Sequence, residues 1–371
     1  MRIGINCRSF ITPHPAGIGR YAYHLVKNLG EIDEVNRYQL YAKKGLFSFN
    51  KNIPRFKYKN FSRRIDFFNK GPAKILDRVD IYHSPSPEIL DIKQGVKVIV
   101  TIHDLIFKTF PQGHTEETIK ESERQFEKIV ERADKLICCS RSTLNDLRKY
   151  FPIQEHKTAV VYQGVDKELF YPLKAEEENY ARGFFQSKGI NDAFFLSVGT
   201  VEPRKNLENT LKAFHQLKTK KKFQGKLVAA GMRGWMSEGV EKCLEKLDLR
   251  NEVIFLGYVS DKELRALYNK AVALIFPSFY EGFGFPIVEA FCCGTPVVTS
   301  CVSSCPEVAG DAALTVDPAD PEEIAHGLER IVEDPQLRED LRQKGFKRAE
   351  DFSFFKTAKE TLAVYEEVYS R

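Results

Sequence analysis

The sequence predicts an α/β protein built from two doubly wound, Rossmann-like domains with parallel sheets. Short apolar segments alternate with longer helical patterns along the whole chain. Several of the short segments are continuous runs of valine, isoleucine and leucine, as expected for strands buried on both faces of a parallel sheet. The chain has 371 residues, which is long for one hydrophobic core. Two domains are therefore expected.

The expected strands are short apolar segments bounded by turn residues, and the expected helices are periodic patterns between them. Strands are expected at Ile3–Asn6, Tyr38–Ala42, Ile81–His83, Val96–Ile102, Leu136–Cys139, Ala159–Tyr162, Phe194–Val198, Leu227–Ala230, Val253–Leu256, Ala273–Phe276, Pro296–Thr299 and Ala313–Val316. Helices are expected at Gly17–Leu29, Glu116–Ala133, Leu207–Leu217, Asp261–Ala271, Pro321–Glu333, Gln336–Glu350 and Phe354–Tyr369.

The polar stretch Tyr171–Asp192 separates two complete sets of alternating strands and helices. We therefore expect a first domain at residues 1–170 and a second at 171–351. The last helix, within 352–371, is expected to pack back on the first domain. Ligands of open α/β sheets bind beyond the carboxyl ends of the strands, so functional side chains are expected just after strands.

Composition and charge are those of an ordinary globular protein. Hydrophobic residues make up 43% of the chain, and the net charge of +5 does not by itself indicate nucleic acid as a partner. The chain opens on the strand-like MRIGIN without a signal-peptide pattern, and no apolar run reaches the roughly 18 residues of a membrane span. We expect a cytoplasmic protein.

The eight cysteines lie mostly in apolar segments and include two adjacent pairs, which is unlike a disulfide framework. Cys292, Cys293, Cys301 and Cys305 are an alternative zinc site. They include no Cys-x-x-Cys pair and no nearby histidine, so core packing is favoured. No clear Asp-x-Asp metal motif is present either, and no metal or other cofactor is expected.

Two adjacent cations, Arg204 and Lys205, follow the expected strand FFLSV and precede a helix for which Asn206 is a plausible N-cap. Cations beside free helix N–H groups suit an anion, and a diphosphate is the natural candidate. The alternative is a pair of cations in a solvated loop, which is the favoured interpretation for an isolated Arg-Lys pair. The position directly after a strand weakens that preference but does not reverse it.

Two glutamates interrupt the apolar segment PSFYEGFGFPIVEAF. Glu281 precedes a turn with Gly282 and Gly284, Pro286 fits the first helical position, and Glu289 lies in the first turns of the helix. Buried carboxylates are costly unless polar groups meet them. The alternative is a turn cap and a solvent-facing helix residue. The glycines, the proline and the position after a strand together favour a site that reads sugar hydroxyls near a helix N-terminus.

The first half of the chain offers weaker candidates. Gly17 and Gly19 form a glycine-rich entry to a helix after the first strand, where backbone amides can touch a phosphate. No third glycine completes a dinucleotide fingerprint. His103 and Asp104 stand at the end of the strand VIVTI. A histidine there is usually structural, but its position makes it a candidate for contacting substrate.

Several motifs follow one another over nearly the whole chain. They are IHD at Ile102–Asp104, QGVDKELFYP at Gln163–Pro172, GTVEPRKNL at Gly199–Leu207, AGMRGW at Ala230–Trp235, LGYVSDKELRALYNKA at Leu256–Ala271, EGFGFPIVE at Glu281–Glu289, followed by GTPVVTS, and PEVAGDAALTVDP at Pro306–Pro318. As a set they resemble the retaining glycosyltransferases of family 4, in particular a mannosyltransferase-like branch, whose GT-B architecture places two Rossmann-like domains across a cleft.

The resemblance implies transfer of a hexose from a nucleoside-diphosphate sugar to an acceptor hydroxyl with retention of anomeric configuration. It also implies that the first domain is the acceptor side and that the second domain binds the nucleotide sugar. By position, Glu289 would bind the donor ribose. Glu281 and the amides of Phe283, Gly284 and Phe285 would hold the sugar hydroxyls. The leaving diphosphate would be bound by Arg204, Lys205 and the amides of Gly17 and Val288. The resemblance also implies that His103 contacts the donor sugar and that backbone near Val259 contacts the base.

The residues allow a mechanism without a metal, because two cations and helix N–H groups can neutralise the leaving diphosphate. No convincing carboxylate nucleophile is present, so front-face substitution assisted by the leaving phosphate is expected. Thr200 stands where many relatives have an arginine, Gln163 replaces the usual asparagine of NGVD, and FCC at Phe291–Cys293 replaces the common AMA.

Residues 51–80 interleave basic and aromatic side chains: the aromatics are Phe56, Tyr58, Phe61, Phe67 and Phe68. One interpretation is a solvated region near the acceptor. The other is peripheral docking on anionic membrane, at the inner face, where a lipid-linked acceptor would be presented. RNA binding is less favoured, since the aromatics lie in no recognisable nucleic-acid module.

Two other classes of function stay open from the sequence. A GT-B sugar-nucleotide epimerase would share the donor site, and a non-catalytic nucleotide-binding module would need no leaving-group clamp. The motifs GTVEPRKN and RGW resemble those of mannosyltransferase-like branches of the family. This favours GDP-mannose over a UDP-hexose as donor. The expected acceptor is a saccharide or a lipid-linked saccharide of glycan or polysaccharide biosynthesis.

Overall fold

The computed structural model of the protein describes residues 1–11, 17–44, 54–232, 234 and 238–371. The chain divides into two compact units. Unit 1 comprises Met1–Gly164 and Phe352–Arg371, and unit 2 comprises Val165–Asp351. The division falls between Gly164 and Val165, a few residues before the boundary expected at 170.

Strands and helices alternate along the described chain. The strands are β1 Arg2–Asn6, β2 Arg37–Lys43, β3 Phe61–Asp66, β4 Ile81–Ser84, β5 Lys97–Ile102, β6 Lys135–Cys138, β7 Thr158–Val160, β8 Phe194–Val198, β9 Lys226–Ala230, β10 Val253–Gly257, β11 Ala273–Phe276, β12 Val297–Ser300 and β13 Leu314–Val316. The helices are α1 Gly17–Ile32, α2 Pro72–Ile75, α3 Ile106–Thr109, α4 Glu116–Arg132, α5 Arg141–Tyr150, α6 Glu178–Ser187, α7 Leu207–Thr219, α8 Glu238–Lys246, α9 Asp261–Lys270, α10 Phe285–Cys293, α11 Cys305–Ala309, α12 Pro321–Glu333, α13 Pro335–Ala349 and α14 Phe354–Ser370.

Unit 1 is organised around a parallel sheet with the order β3-β2-β1-β4-β5-β6-β7 in the described residues. The chain starts at the centre with β1, runs outward to β3, and returns to the other side of β1 with β4. β1 and β4 pair directly, with Ile3 opposite Ile81 and Ile5 opposite His83. The strand order therefore reverses between β1 and β4, which is the place where open α/β sheets bind ligands.

Unit 2 repeats this plan with the order β10-β9-β8-β11-β12-β13 in the described residues. Its strand order reverses between β8 and β11, which pair with Leu274 opposite Leu196. The core beside the sheet contains Phe195, Phe214 and Leu328, all fully buried. The prediction of two doubly wound parallel-sheet domains is thereby confirmed.

Local sequence signals explain where helices begin. Thr115 caps α4 by accepting a hydrogen bond from the Thr118 amide, and Ser353 does the same for α14 through the Lys356 amide. Ser260 starts α9 with a reciprocal capping box in which Glu263 bonds back to the Ser260 amide. These caps satisfy N–H groups that have no partner within the helix.

The C-terminal helix α14 belongs to unit 1 and packs along α1. Two polar contacts, one of them fully buried, fix it there. His83 Nδ1 lies 2.6 Å from the Tyr365 hydroxyl, and Lys135 Nζ lies 2.8 Å from Glu367. Burial lowers the pKa of His83 to about 3, so this ring stays neutral in the folded protein.

The strand β3, which was not predicted from the sequence, pairs with β2 at the edge of the sheet. Its residues FSRRID are largely polar, and their side chains are mostly exposed or half-buried. An edge strand with charged side chains does not show the apolar run that marks a central strand. The segment therefore resembled a solvated loop.

The cysteines form no disulfide bond in the described residues. All are free, and all except Cys301 are buried. Burial raises the pKa of the Cys292 thiol to about 12 and that of Cys305 to about 11. Over the described ranges, no group of three or more His, Cys, Asp or Glu side chains is placed to hold a metal ion. Within the same ranges, no helix has both the length and the apolar character needed to cross a bilayer.

Candidate active site

The loops after β8 and β11 bring together the charged residues that the sequence singled out. A short turn after β8 carries Arg204 and Lys205, and α7 follows it. The loop after β11 carries Glu281, and α10 follows that loop. Because β8 and β11 are neighbours where the strand order reverses, both loops leave the same edge of the sheet. We call Glu202, Arg204, Lys205 and Glu281 the unit 2 charge cluster.

Direct ion pairs hold the unit 2 charge cluster together. Lys205 Nζ lies 2.6 Å from Glu281 Oε1, and Arg204 Nη1 lies 2.9 Å from Glu281 Oε2. Arg204 Nη2 also contacts Glu202 Oε1 at 2.5 Å. Each oxygen of the Glu281 carboxylate therefore faces one cation. Glu202 was not predicted as a site residue, although it lies in the same GTVEPRKNL motif.

Burial makes the electrostatics of the cluster strong. Glu281 is only 7% exposed. Burial alone raises the pKa of its carboxyl, but the charges of Arg204 and Lys205 outweigh this effect, and the pKa lies below its ordinary value. Burial lowers the pKa of Lys205, and the neighbouring Arg204 acts in the same direction, against the opposing attraction of Glu281. An anion that arrives here would interact with two weakly solvated cations.

Backbone contacts fix the position of Arg204 relative to the β11 loop. Arg204 Nη1 donates to the Tyr280 carbonyl at 2.9 Å, and the Phe279 amide donates to the Arg204 carbonyl at 2.9 Å. The guanidinium is thus bound to the loop that carries Glu281 by both its side chain and its main chain. The two loops form one unit, and their charges are pre-organised.

Asn206 precedes α7, as predicted, but its side chain does not cap the helix. It adopts a left-handed conformation with φ of 60° and makes no capping hydrogen bond. Its Nδ2 donates instead to the carbonyls of Pro277 and Pro318, at 2.9 and 2.6 Å. The prediction of a side-chain cap is therefore wrong. The carboxamide is used to join the loops after β11 and β13.

Ser303 and Ser304 hold the Glu281 loop through hydrogen bonds, and neither was predicted from the sequence. The Glu281 amide donates to Ser303 Oγ at 3.0 Å. The buried Ser304 hydroxyl lies 2.9 Å from the carbonyls of both Glu281 and Phe283. The signal was present in the sequence: two serines come shortly after the β12 segment, just before the PEVAGD motif.

The start of α10 matches the glycine-and-proline pattern of the sequence. Gly284 has φ of 102°, a left-handed conformation that a side chain would strain, and it precedes the first helical residue, Phe285. Pro286 is the second helical residue rather than the first, which still leaves its missing N–H without cost. The amides of the first turn are directed out of the helix N-terminus. Val288 is fully buried in that turn.

Glu289 is buried in α10 and accepts a hydrogen bond from the Tyr268 hydroxyl of α9 at 2.9 Å. Tyr268 is itself fully buried, and its carbonyl accepts a 2.6 Å bond from Thr295 Oγ1. The carboxylate is thus oriented by a rigid aromatic side chain. Glu289 was predicted from the sequence, but Tyr268 was not, because a tyrosine on the apolar face of a helix is normally a core residue.

Val259 lies where predicted, between the end of β10 and the start of α9. It is half-buried, and its neighbour Tyr258 is 59% exposed. Gly257 has φ of 68°, so the chain turns sharply as it leaves the sheet. The backbone of this turn is at the carboxyl edge of the unit 2 sheet, the same edge as the charge cluster.

His103 follows β5 in unit 1 and is buried. Its Nδ1 lies 2.7 Å from Gln163 Nε2, and its Nε2 lies 2.7 Å from the Pro85 carbonyl. Since an amide nitrogen can only donate and a carbonyl can only accept, these contacts assign the proton to Nε2 of a neutral ring. Burial lowers the pKa of His103, which agrees with this state. Gln163, noted in the sequence as a departure, thus sets the tautomer.

Two further predictions concern chain segments at the limits of the described residues. Gly17 is the first residue of α1 and is exposed. Residues 12–16, ahead of it, lie outside the described residues. In the AGMRGW motif, Arg233 and Trp235 also lie outside them.

Comparison with known protein families agrees with the motifs. The family model described as Glycosyltransferase Family 4 matches residues 15–169, and the model described as Glycosyl transferases group 1 matches residues 183–348. Together they span most of both units in the expected order. The chain belongs to glycosyltransferase family 4. It is therefore an enzyme, and an epimerase or a non-catalytic nucleotide-binding module is not favoured.

This glycosyltransferase is similar to several known proteins in sequence and in structure. It is 29% identical to O-antigen chain mannosyltransferase B of Escherichia coli, over 94% of this chain and 95% of that protein. It is also 29% identical to an MMP α-(1→4)-mannosyltransferase of Mycolicibacterium hassiacum, over 66% of this chain but only 56% of that protein. The sucrose-phosphate synthase of Thermosynechococcus elongatus aligns over 100% of this chain with a TM-score of 0.77 and 20% identity. That likeness shows the fold, which is GT-B.

Proposed function

We propose that this glycosyltransferase is a retaining mannosyltransferase that uses GDP-mannose and extends a saccharide or lipid-linked saccharide in polysaccharide biosynthesis. The observation that carries the proposal is the unit 2 charge cluster, in which Arg204 and Lys205 meet Glu281 where the strand order reverses. The near-full-length likeness to an O-antigen mannosyltransferase supports mannose as the sugar. A UDP-hexose is the alternative donor.

The cations would bind the donor diphosphate. An Arg guanidinium carries five N–H donors and a lysine ammonium three, so each can bind phosphate oxygens while keeping a bond to Glu281. The amides of the first turn of α10 add partial positive charge near the same edge. As the sugar–phosphate bond breaks, negative charge grows on the departing oxygen, and these groups stabilise it.

Carboxylates would read the sugars on both sides of the diphosphate. Glu281 presents its oxygens beside Lys205, and with the amides of Phe283, Gly284 and Phe285 it would hold hydroxyls of the transferred hexose. Glu289, oriented by Tyr268, would accept hydrogen bonds from the ribose. Val259 would meet the base through its backbone. The family resemblance adds His103 and the Gly17 amide as proposed donor contacts.

Retention would follow from front-face substitution. The bond from the anomeric carbon to the diphosphate oxygen breaks, the acceptor oxygen bonds to the same face, and the departing phosphate oxygen takes the acceptor proton. No protein nucleophile is needed. Because Arg204 and Lys205 supply the charge, we also propose that the transfer is independent of divalent metal. Activity that survives EDTA and does not rise with Mg²⁺ or Mn²⁺ supports this, and loss restored by Mn²⁺ contradicts it.

The basic and aromatic segment is also a proposed membrane contact. Residues 54–60 alternate, with Arg55, Lys57 and Lys59 exposed and Phe56 and Tyr58 turned inward. The Tyr58 ring fills space beside Gly30, where a Cβ would come within 2.1 Å of it. The exposed aromatics that remain in the segment are Phe67 and Phe68, at 43% and 67% exposure.

This arrangement suits peripheral docking, with two aromatic side chains beside several cations. Sedimentation with phosphatidylglycerol vesicles at low salt tests it. Binding that is lost at high salt, and weakened in the double variant F67S/F68S, is expected. The absence of binding at low salt contradicts this part of the proposal. Residues 51–53 of the segment lie outside the described residues.

A donor panel with a defined product tests the main proposal. Purified enzyme is incubated with GDP-mannose, UDP-glucose or UDP-galactose and with methyl α-mannobioside as acceptor, and the product is examined by NMR. We expect release of GDP and a new α-linked mannose. A β-linked product would contradict retention, and conversion of the donor to an isomer without acceptor would indicate an epimerase instead.

A further inference from the structure

The strand reversal of unit 1 carries a second polar cluster that the donor site does not use. β1 ends at Asn6 and β4 ends at Ser84, and these strands are the neighbours between which the strand order reverses. Asn6 Nδ2 donates to Ser84 Oγ at 3.3 Å and to Glu88 Oε1 at 2.7 Å. A single carboxamide therefore joins the ends of both strands to a glutamate just beyond them.

Glu88 is the centre of this cluster. Besides the bond from Asn6, its Oε1 accepts a hydrogen bond from Ser86 Oγ at 3.1 Å, and its Oε2 faces Arg8 Nη1 at 3.2 Å. Asn6 is 1% exposed, whereas the side chains of Arg8 and Glu88 are 33% and 25% exposed. A buried amide thus holds a carboxylate and a guanidinium that both still reach the surface.

A buried hydroxyl beside the cluster has no hydrogen-bond partner in the described part of the chain. It is the phenol of Tyr82 in β4, which is completely buried. Burial raises its pKa well above the ordinary value, and Glu88 is the charged group that acts on it most strongly, with Arg8 opposing. The phenol therefore stays protonated close to both charged groups. Buried polar groups nearly always have a partner, so an unsatisfied one next to a polar cluster points to a ligand or ordered water.

The chemistry of the cluster favours a neutral polyol over an anion. The cluster contains a single cation, Arg8, which Glu88 engages, so a phosphate would find no second adjacent cation of the kind that Arg204 and Lys205 provide in unit 2. It does offer acceptors and donors side by side: a carboxylate for vicinal hydroxyls, a guanidinium for ring and hydroxyl oxygens, and the hydroxyl group of Ser86. This is the set of groups that binds sugar hydroxyls through many directional hydrogen bonds.

We propose that Asn6, Arg8 and Glu88 form the acceptor-saccharide site, with Glu88 as the residue that binds acceptor hydroxyls directly. The inference rests on the proposed function, because it assigns the second substrate of the same transfer. Asn6 is a positioning residue that fixes the Glu88 carboxylate at the ends of β1 and β4. The Tyr82 phenol is completely buried, so it can reach the acceptor only through an ordered water or after the side chains that cover it move.

The test compares E88Q with a matched control on the same two strands. At the opposite, amino-terminal edge of β1 and β4, Arg2 Nη2 pairs with Asp80 Oδ1 at 2.8 Å. D80N therefore removes one carboxylate charge from an equivalent ion pair outside the cluster. With GDP-mannose as donor and methyl α-mannobioside as acceptor, E88Q is expected to raise the acceptor KM about tenfold or more, since removing a charged sugar contact typically costs this much. D80N should leave it within about twofold.

Two measurements separate this inference from the proposed function. Binding of GDP and slow hydrolysis of GDP-mannose by water report on the donor site alone, and both should be unchanged in E88Q. An unchanged acceptor KM in E88Q overturns the acceptor assignment while leaving the donor proposal intact. Equal losses in E88Q and D80N, with lower melting temperatures in both, also overturn it, because they indicate a purely structural role.

Direct binding settles the case in which no transfer to this acceptor is detected. Saturation-transfer NMR with methyl α-mannobioside is recorded on the wild type, on E88Q and on Y82F. A signal in the wild type that weakens in E88Q supports the site, and a smaller decrease in Y82F supports the contact with the phenol. No signal in the wild type, or the same signal in E88Q, overturns the proposal.

Discussion

The two units place different chemistry at the same point of the same architecture. In each unit, the strand order reverses between two neighbouring parallel strands, and the loops after those strands carry the polar side chains. The strands are β1 and β4 in unit 1, and β8 and β11 in unit 2. Unit 2 puts two adjacent cations there, held by Glu281 and Glu202. Unit 1 puts Asn6, Arg8 and Glu88 there, with a single cation matched to a single carboxylate.

The difference shows that the fold determines where a ligand binds and that the loops determine which ligand binds. The topology fixes where a ligand can bind, since backbone loops diverge at a strand reversal and leave room between them. The side chains on those loops fix which ligand binds. Two adjacent cations, Arg204 and Lys205, suit a diphosphate, whereas the single guanidinium of Arg8 beside the Glu88 carboxylate suits neutral hydroxyls.

The largest expected effect comes from removing the cations of unit 2. The double variant R204A/K205A should lower kcat/KM for GDP-mannose by about a thousandfold, because each cation contributes to stabilising the departing diphosphate. Steady-state kinetics check this. The matched control is R2A, which removes a cation from the amino-terminal edge of the unit 1 sheet and should cost less than about twofold. An R204A/K205A variant that is folded and retains more than a tenth of the activity contradicts the donor assignment.

Removing the carboxylate between the cations should have the next largest effect. E281Q leaves two largely desolvated cations without their shared partner, so we expect a loss of about 3 kcal/mol in the free energy of unfolding at pH 7. Activity should fall about a hundredfold, since the loop also loses its contacts to the sugar. Guanidinium unfolding and kinetics measure the two effects separately.

The pH dependence of that stability loss sharpens the prediction. The pKa of Glu281 is lowered in the folded protein, so its stabilising contribution is complete above the unfolded value near 4.5 and is lost as the pH falls through the folded value. The difference between wild type and E281Q should therefore shrink on acidification below pH 4.5. A difference that is constant from pH 7 to pH 3.5 would show that the carboxylate is not ionised in the fold.

A smaller effect is expected from Y268F, which removes the hydrogen bond to Glu289. A bond to a charged acceptor is worth about 2 kcal/mol. We expect the KM for GDP-mannose to rise about tenfold with little change in kcat, because the ribose contact is made in the ground state and the transition state alike. A fall in kcat with unchanged KM would place Glu289 at the reacting sugar instead. Y365F, which alters a buried tyrosine of α14, controls for loss of a buried hydroxyl.

The smallest effect is expected from Gln163. Q163M removes the donor to His103 Nδ1 while keeping the length of the side chain. The ring then loses the partner that fixes its tautomer, and the pKa of His103 should rise because the donor to Nδ1 stabilises only the neutral ring. We expect a change of a few fold in kcat and a shifted acidic limb of the pH–rate profile. An unchanged profile would limit Gln163 to a packing role.

Much of this molecule is predictable from the sequence because its signals are local. Continuous apolar runs marked the central strands, Gly284 and Pro286 marked the start of α10, and cations directly after β8 marked the charge cluster. The edge strand β3 was missed because its polar side chains lack the pattern of a buried strand. Ser304 and Tyr268 were missed because their roles depend on contacts distant in sequence, which no spacing along the chain reveals.

The interpretation of Asn206 failed for the same reason. An asparagine before a helix is commonly a cap, but here two carbonyls from other loops compete for its amide. The unit 1 cluster also escaped the sequence analysis, since Asn6 and Glu88 stand far apart in the chain and meet only through the pairing of β1 with β4.

Calorimetric titration of GDP into the wild type, R204A/K205A and E88Q tests the division of roles between the two units most directly. We predict that the wild type and E88Q bind GDP with the same affinity and that R204A/K205A binds it at least a hundredfold more weakly. Equal affinity in all three proteins would contradict the account, and so would a loss confined to E88Q.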